Sequence, residues 1–273
     1  MKACRMRVAY FDCIAGISGD TALAALIDLG VDPDALRQHL SSLPLGPFEL
    51  EVTEVEEHGI RATRVDVRTS AAGVIRTYGS VRAVLDGADL PEEALRLAQR
   101  ILRRLAQAEA RVHRRGLETV TFPAAAGVDA VVAVVGAALG LSMLGIGRVF
   151  SSAVPTGLGM ARTEHGAMPI PSPTVLELLR GAPLFSRGVA AELTTATGAA
   201  LLAAIAEGYG EMPAMRLEGV GYGAGKQALD FPNLLRVLVG QEASPAALPG
   251  GPGEPELRLV GGSSELPTGE DAG

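Results

Sequence analysis

The chain has 273 residues, 48% of them hydrophobic, with no tryptophan and 4% aromatics, so it can bury a sizeable core built on Ala, Val and Leu. Its formal net charge is −7, and Lys and Arg form no long block beyond Arg103-Arg104 and Arg114-Arg115, which argues against a nucleic-acid partner. Two cysteines, Cys4 and Cys13, with no apolar stretch ahead of a cleavage-like site give neither a disulfide framework nor a secretory leader, and a cytoplasmic protein is expected.

Val8 to Phe11 reads as a strand and Thr21 to Gly30 as a helix, with Asp20 as its expected N-cap and Gly30 as its stop. Between them, Asp12, Cys13, Gly16, Ser18, Gly19 and Asp20 gather two carboxylates, a thiol, a hydroxyl and two glycines. Such strand-to-helix junctions collect ligands, because the strand's carboxyl end opens into a crevice and free helix N–H groups favour anions. A turn closed by a capping aspartate explains the same residues.

Asp32-Pro33-Asp34 opens a second helix through Leu43, ended by Pro44 and Pro47. Phe48 to Glu56 and Arg61 to Arg68 alternate apolar and polar residues around His58-Gly59, a hairpin pattern. Ser80 to Leu85 is a short helical piece. Leu90-Pro91-Glu92-Glu93 then starts a long amphipathic helix in which Leu95, Ala98, Ile101, Leu102, Leu105, Ala108 and Val112 form the apolar stripe and the arginines a solvated face. On that helix Glu109 and His113 stand four apart. This spacing can chelate a metal, yet His113 ahead of Arg114, Arg115 and Gly116 is also explained by the helix dipole and a stop.

Val128 to Ile146 is nearly all apolar but contains Asp129 and is short for a membrane span of about 20 residues. A buried helix is expected, with Gly136 and Gly140 permitting close packing. Arg148 to Ser152 reads as a strand, Thr156 to Gly159 as extended chain or loop, Thr174 to Leu179 and Ala196 to Glu207 as helices, and Arg216 to Gly221 and Leu234 to Gly240 as closing strands. The expected fold is therefore α/β, with mixed α+β as the alternative: a mixed sheet with packed helices over residues 1–242. Residues 243–273, rich in Pro, Gly, Ser and acids, are expected to be a disordered tail.

Carboxylates suit hard cations and a thiolate suits softer ones, so Asp12, Cys13 and Asp20 are candidates for a metal or a metal-bound phosphate. No lysine-terminated phosphate loop follows. His165 lies in a proline-rich stretch, where an exposed loop histidine is the plain alternative to a site residue. Gly221-Tyr222-Gly223-Ala224-Gly225-Lys226 has neither dinucleotide-fingerprint spacing nor a following helix. It reads as a flexible hairpin connection or as a lid whose Lys226 contacts an anion.

Four separated segments together resemble the LarC-type nickel insertion proteins. They are Phe11-Asp12-Cys13 with Gly16 and Ser18-Gly19-Asp20; His165-Gly166 with Pro169, Pro171, Pro173 and Glu177-Leu178-Leu179; Glu192-Leu193 with Thr195 and Thr197-Gly198-Ala199-Ala200; and Gly221 to Lys226 with Pro232-Asn233 and Leu235-Arg236-Val237. The resemblance implies insertion of nickel into a pyridinium-3,5-bisthiocarboxylic acid mononucleotide, the pincer cofactor precursor of lactate racemase and related enzymes, using CTP with Mg or Mn. It implies Asp12, Asp20 and His165 as catalytic residues, with Asp12, Cys13 and His165 holding metal. Gly16, Ser18, Gly19, Gly223, Gly225 and Lys226 would bind the mononucleotide, a small-molecule partner; neither nucleic acid nor membrane is implied.

The chain departs from the family pattern at three places, the first being Ala15, where Ser is common in members. Ser70 to Ile75 stands where members carry a histidine-rich stretch, and Thr121, Pro123 and Ala124 stand where members carry His, His and Glu. The family's C-terminal nucleotide-binding domain is also not matched, which leads to two expectations: a separately encoded partner supplies it, or the chain is a non-catalytic paralogue acting as a cofactor or metal carrier.

Overall fold

The computed structural model describes residues 7–69, 77–122, 127–163 and 166–243. The tail from 244, the Ser70 to Ile75 stretch, Pro123, Ala124 and His165 lie outside the described residues.

Strand β1 (Arg7–Asp12) runs through the middle of a seven-stranded mixed sheet. It pairs antiparallel with β11 (Leu234–Glu242) on one side and parallel with β4 (Ile146–Ser151) on the other. Beyond β11 come β10 (Met215–Ala224), then β3 (Ile60–Thr69) and β2 (Phe48–Glu57); beyond β4 comes β9 (Ala206–Tyr209) at the opposite edge. The hairpin of β2 and β3 turns on His58 and Gly59, both at positive φ, as a tight two-residue connection requires. Two further pairs are small: β5 (Val154–Thr156) with β8 (Leu184–Ser186), and β6 (Met160–Thr163) with β7 (Gly166–Pro169).

Alternation along β1 divides the interior. Ala9 and Phe11 point into the main core, which contains side chains from every α-helix, whereas Val8 and Tyr10 join Met215 in a small cluster without helical residues. The helices thus cover one face of the sheet. They are α1 (Gly19–Asp28), α2 (Pro33–Leu40), α3 (Tyr78–Asp86), α4 (Glu92–His113), α5 (Val128–Met143), α6 (Pro173–Leu178) and α7 (Ala196–Ile205).

Helix α5 is buried along nearly its whole length, and among the described residues no helix is long and apolar enough to cross a membrane. A Cβ on Gly136 would lie 2.9 Å from a Leu23 methyl and one on Gly140 3.1 Å from Leu26, so the two glycines let α1 press against α5. Close packing is their role. Helix α2 stops at Leu40 rather than Leu43, and α7 passes directly into β9 at Ala206, which shortens the expected helix. Helix α4 ends on Arg114 in the left-handed conformation, φ 50°, and not on Gly116.

Candidate functional site

Helix α1 is capped by Ser18, not by Asp20. The Ser18 hydroxyl accepts from the Thr21 amide at 3.1 Å, and the Thr21 hydroxyl accepts from the Ser18 amide at 2.9 Å, a reciprocal capping box. Asp20 is thereby free of capping and sits in the first turn, turned toward β10. The loop ahead of it is held by backbone: Ala15 N donates to Leu234 O at 3.2 Å, Ile17 N to Leu193 O at 3.1 Å, and Thr195 N to Ile17 O at 3.0 Å. These bonds place Glu192 and Thr195 beside the start of α1. Thr195 in turn caps α7, accepting from Gly198 N at 3.2 Å.

Two adjoining cavities open at this junction. The first, of about 250 Å³, lies where α1, α5 and α7 begin and α4 ends; its walls include Ser18, Gly19 and Asp20, then Asp129, Thr195 and Thr197, then Glu109 and His113, with Ser172 and Glu192 closing it. The second, of about 190 Å³, is lined by Gly16, Ser18, Asp20, Glu192, Gly225, Lys226 and Asn233 among others. Ser18, Asp20, Glu192 and Thr195 belong to both, so the cavities share a wall.

Electrostatics differ between the two. Lys226 Nζ lies 2.8 Å from Asp20 Oδ2 and 2.8 Å from Asp66 Oδ1; although burial opposes its charge, the two carboxylates raise its pKa above the usual lysine range. In the first cavity, burial pushes the Asp129 and Glu192 carboxyls above the usual carboxylate range. Helix N-termini favour anions there and the α4 C-terminus favours cations, so the chamber suits a ligand carrying both charges.

The structure brings together only part of the residue set expected from sequence. Ser18, Gly19 and Asp20 meet Lys226 and Gly225 across the two cavities. Asp12 does not join them: Arg236, its register partner on β11, donates to Asp12 Oδ2 from Nη2 at 2.6 Å and from Nε at 3.0 Å, and Asp12 lines neither cavity. Cys13 is 2% exposed, with its Sγ 3.7 Å from the Ser151 hydroxyl, and burial pushes its thiol up to about 12. That environment keeps the thiol neutral and closed off, which does not fit the metal-ligand reading of Cys13.

Several glycines have structural explanations. Gly16 is at φ +90°, and a Cβ there would sit 2.1 Å from Leu193 O. A Cβ on Gly223 would lie 2.0 Å from Thr21 O, because β10 passes directly over α1; Gly223 is strand, not a flexible connection or lid. Gly225 closes on Asn233, donating from its amide to Asn233 O at 2.8 Å.

The sequence left Glu109 and His113 between a chelating pair and an ordinary helix end, and did not place them in the site. Glu109 is 1% exposed, its Oε2 lies 3.2 Å from His113 Nε2, and both side chains line the first cavity. The signal was the four-residue spacing combined with a carboxylate on the apolar stripe between Leu105 and Val112. Among the described residues no group of three or more His, Cys, Asp or Glu is arranged to hold a metal ion.

Comparison with known proteins matches residues 9–253 to a family model described as nickel insertion protein. A protein of Geobacter sp. (strain M21) whose name proposes nickel insertion is 45% identical over 240 residues, covering 87% of this chain and 62% of its own length. The pyridinium-3,5-bisthiocarboxylic acid mononucleotide nickel insertion protein of Desulfitobacterium hafniense (strain DSM 10664 / DCB-2) is 41% identical over 238 residues, covering 87% and 59%. The chain spans about three fifths of the length of the curated relatives it matches. No solved structure matches it.

Proposed function

Because the chain belongs to the nickel insertion protein family, we propose that it receives nickel and pyridinium-3,5-bisthiocarboxylic acid mononucleotide in the joined cavities and acts in placing the metal on the ring. One observation supports this reading above the others: Asp20 and Glu192 form a common wall between a carboxylate-rich chamber and a chamber holding Lys226. A mononucleotide of this kind has a cationic ring at one end and a phosphate at the other. The ring suits the carboxylates, and the phosphate suits Lys226 with the free amides at the start of α1. Ser18, Gly19 and Asp20 take part in binding, with Gly225 shaping the Lys226 end.

CTP with Mg or Mn, and a separately encoded nucleotide-binding partner, belong to the same proposal, and the reaction is cytoplasmic. Nickel is cargo in this scheme. His165 and Asp12 enter as candidate site residues, Asp12 through its hold on Arg236.

The test is incubation of the purified chain with the mononucleotide and a nickel salt, with and without CTP and Mg, followed by mass spectrometry of the small molecule. Gain of nickel with loss of protons is expected in the complete mixture. Absence of mononucleotide binding, or binding indifferent to Lys226→Ala, would overturn the reading.

A further inference from the structure

The first cavity contains a buried carboxylate beside an imidazole. Glu109 stands on the core side of α4, 1% exposed, where an apolar residue would continue the stripe of Ile101, Leu102 and Leu105. Burying a carboxylate there carries a desolvation cost that a Leu or Ala would not. Its Oε2 faces His113 Nε2 at 3.2 Å, and the imidazole is about a third exposed, toward the first cavity. A carboxylate at ion-pair distance from an imidazole on a cavity wall suits a general base, because it lies close to the charge that the base acquires.

We propose, resting on the nickel-insertion reading of this site, that His113 is the proton acceptor of the reaction and Glu109 its positioning residue. Thiocarboxylates at ring positions 3 and 5 flank position 4, so a nickel ion held by both sulfurs lies against that carbon. Insertion breaks the C4–H bond and its electron pair becomes the C–Ni bond. The hydrogen leaves as a proton to the His113 imidazole, and nickel stays divalent, so no oxidant or reductant is needed. The same cavity is also lined by Glu109 on the helix of His113, Asp20 from α1, Asp129 from α5 and Glu192 from the segment before α7. Of the other groups on this wall, Asp20 is paired with Lys226.

Single-turnover insertion by the full chain, with mononucleotide, nickel and CTP–Mg, tests the assignment against equilibrium binding of the mononucleotide alone. His113→Gln should slow insertion by about 10²- to 10⁴-fold, far more than it changes mononucleotide affinity, with Glu109→Gln giving a smaller loss in rate. Deuterium at ring position 4 should produce a larger isotope effect in the variant than in the wild type, and added imidazole should restore part of the rate to His113→Ala. Wild-type insertion matched by His113→Gln overturns the proton-acceptor role and leaves the nickel-insertion reading standing, as does loss of rate in Asp129→Asn or Glu192→Gln but not in His113→Gln. A wild type that inserts no nickel overturns both.

Discussion

Lys226 and Asp20 form an ion pair of 2.8 Å across the wall between the two cavities. The pair joins the end of β10 to the first turn of α1, and Asp66 on β3 completes the bridge at 2.8 Å. Since Ser18 caps the helix, Asp20 is not needed as its cap. Asp20→Asn should therefore change thermal stability little, whereas Ser18→Ala should cost about 1 kcal/mol. Mononucleotide affinity should respond to Lys226→Ala most strongly, by roughly tenfold or more for a charge-assisted phosphate contact. Calorimetric titration and thermal unfolding of the three variants check this. A large drop in melting temperature for Asp20→Asn would return the residue to a structural role.

Gly223 offers the converse case. Its Cβ would meet Thr21 O at 2.0 Å, in backbone that cannot step aside without separating β10 from α1. Gly223→Ala should destabilise the chain by about 1–3 kcal/mol or more, as overpacking does. Denaturant titration would measure it. Unchanged stability combined with lost mononucleotide binding would restore Gly223 as a ligand contact.

Much of the fold follows from pattern. The alternation around His58-Gly59, the stripe along α4 and the unbroken apolar run of α5 each correspond to an element in the structure, since periodicity reports which face is buried. The site was harder to read. Ser18 and Asp20 are both good caps, and only the reciprocal bonds with Thr21 decide between them. Asp12 resembles a site carboxylate until its cross-strand register brings Arg236, 224 residues away, against it. Glu109 and His113 look like an ordinary charged helical pair, and it is the convergence of α1, α5 and α7 on the end of α4 that gives them a cavity to face.

Cys13 provides a check on the interior. Burial pushes the thiol up to about 12, so the folded state holds the proton that the unfolded state releases earlier. This contribution to stability is intact below pH 9 and is lost as pH rises toward 12. Iodoacetamide at pH 8 should leave Cys13 unmodified in the folded chain and alkylate it promptly in denaturant. Mass spectrometry of the Cys13 peptide decides the matter. Rapid native modification would show an accessible thiolate and revive the cysteine as a nickel ligand.

Nickel binding by the chain alone should be weak, at about one site or fewer, because nickel affinity in proteins draws mainly on imidazole and thiolate. The chain has four histidines and two cysteines, and Cys13 is closed off in the core. Cysteine loss by Cys13→Ala should then leave nickel uptake unchanged. What the chain does offer a cation is carboxylate, and the sign of its pH dependence follows from Asp129 and Glu192. Burial raises both pKa values, so each stays protonated to a higher pH than an exposed carboxyl would. A cation entering the first cavity binds the ionised forms and must displace those protons. Its affinity should fall as pH is lowered, beginning above the ordinary carboxylate range, and each binding event should release protons. The same groups favour the uncharged fold: their contribution to stability is present at low pH and lost as pH rises through the raised values, and a bound cation should recover it. Nickel should therefore raise the melting temperature more at pH 7 than at pH 5, and Asp129→Asn with Glu192→Gln should flatten the difference. Tight nickel uptake independent of pH and of both carboxyls would place the metal elsewhere in the protein.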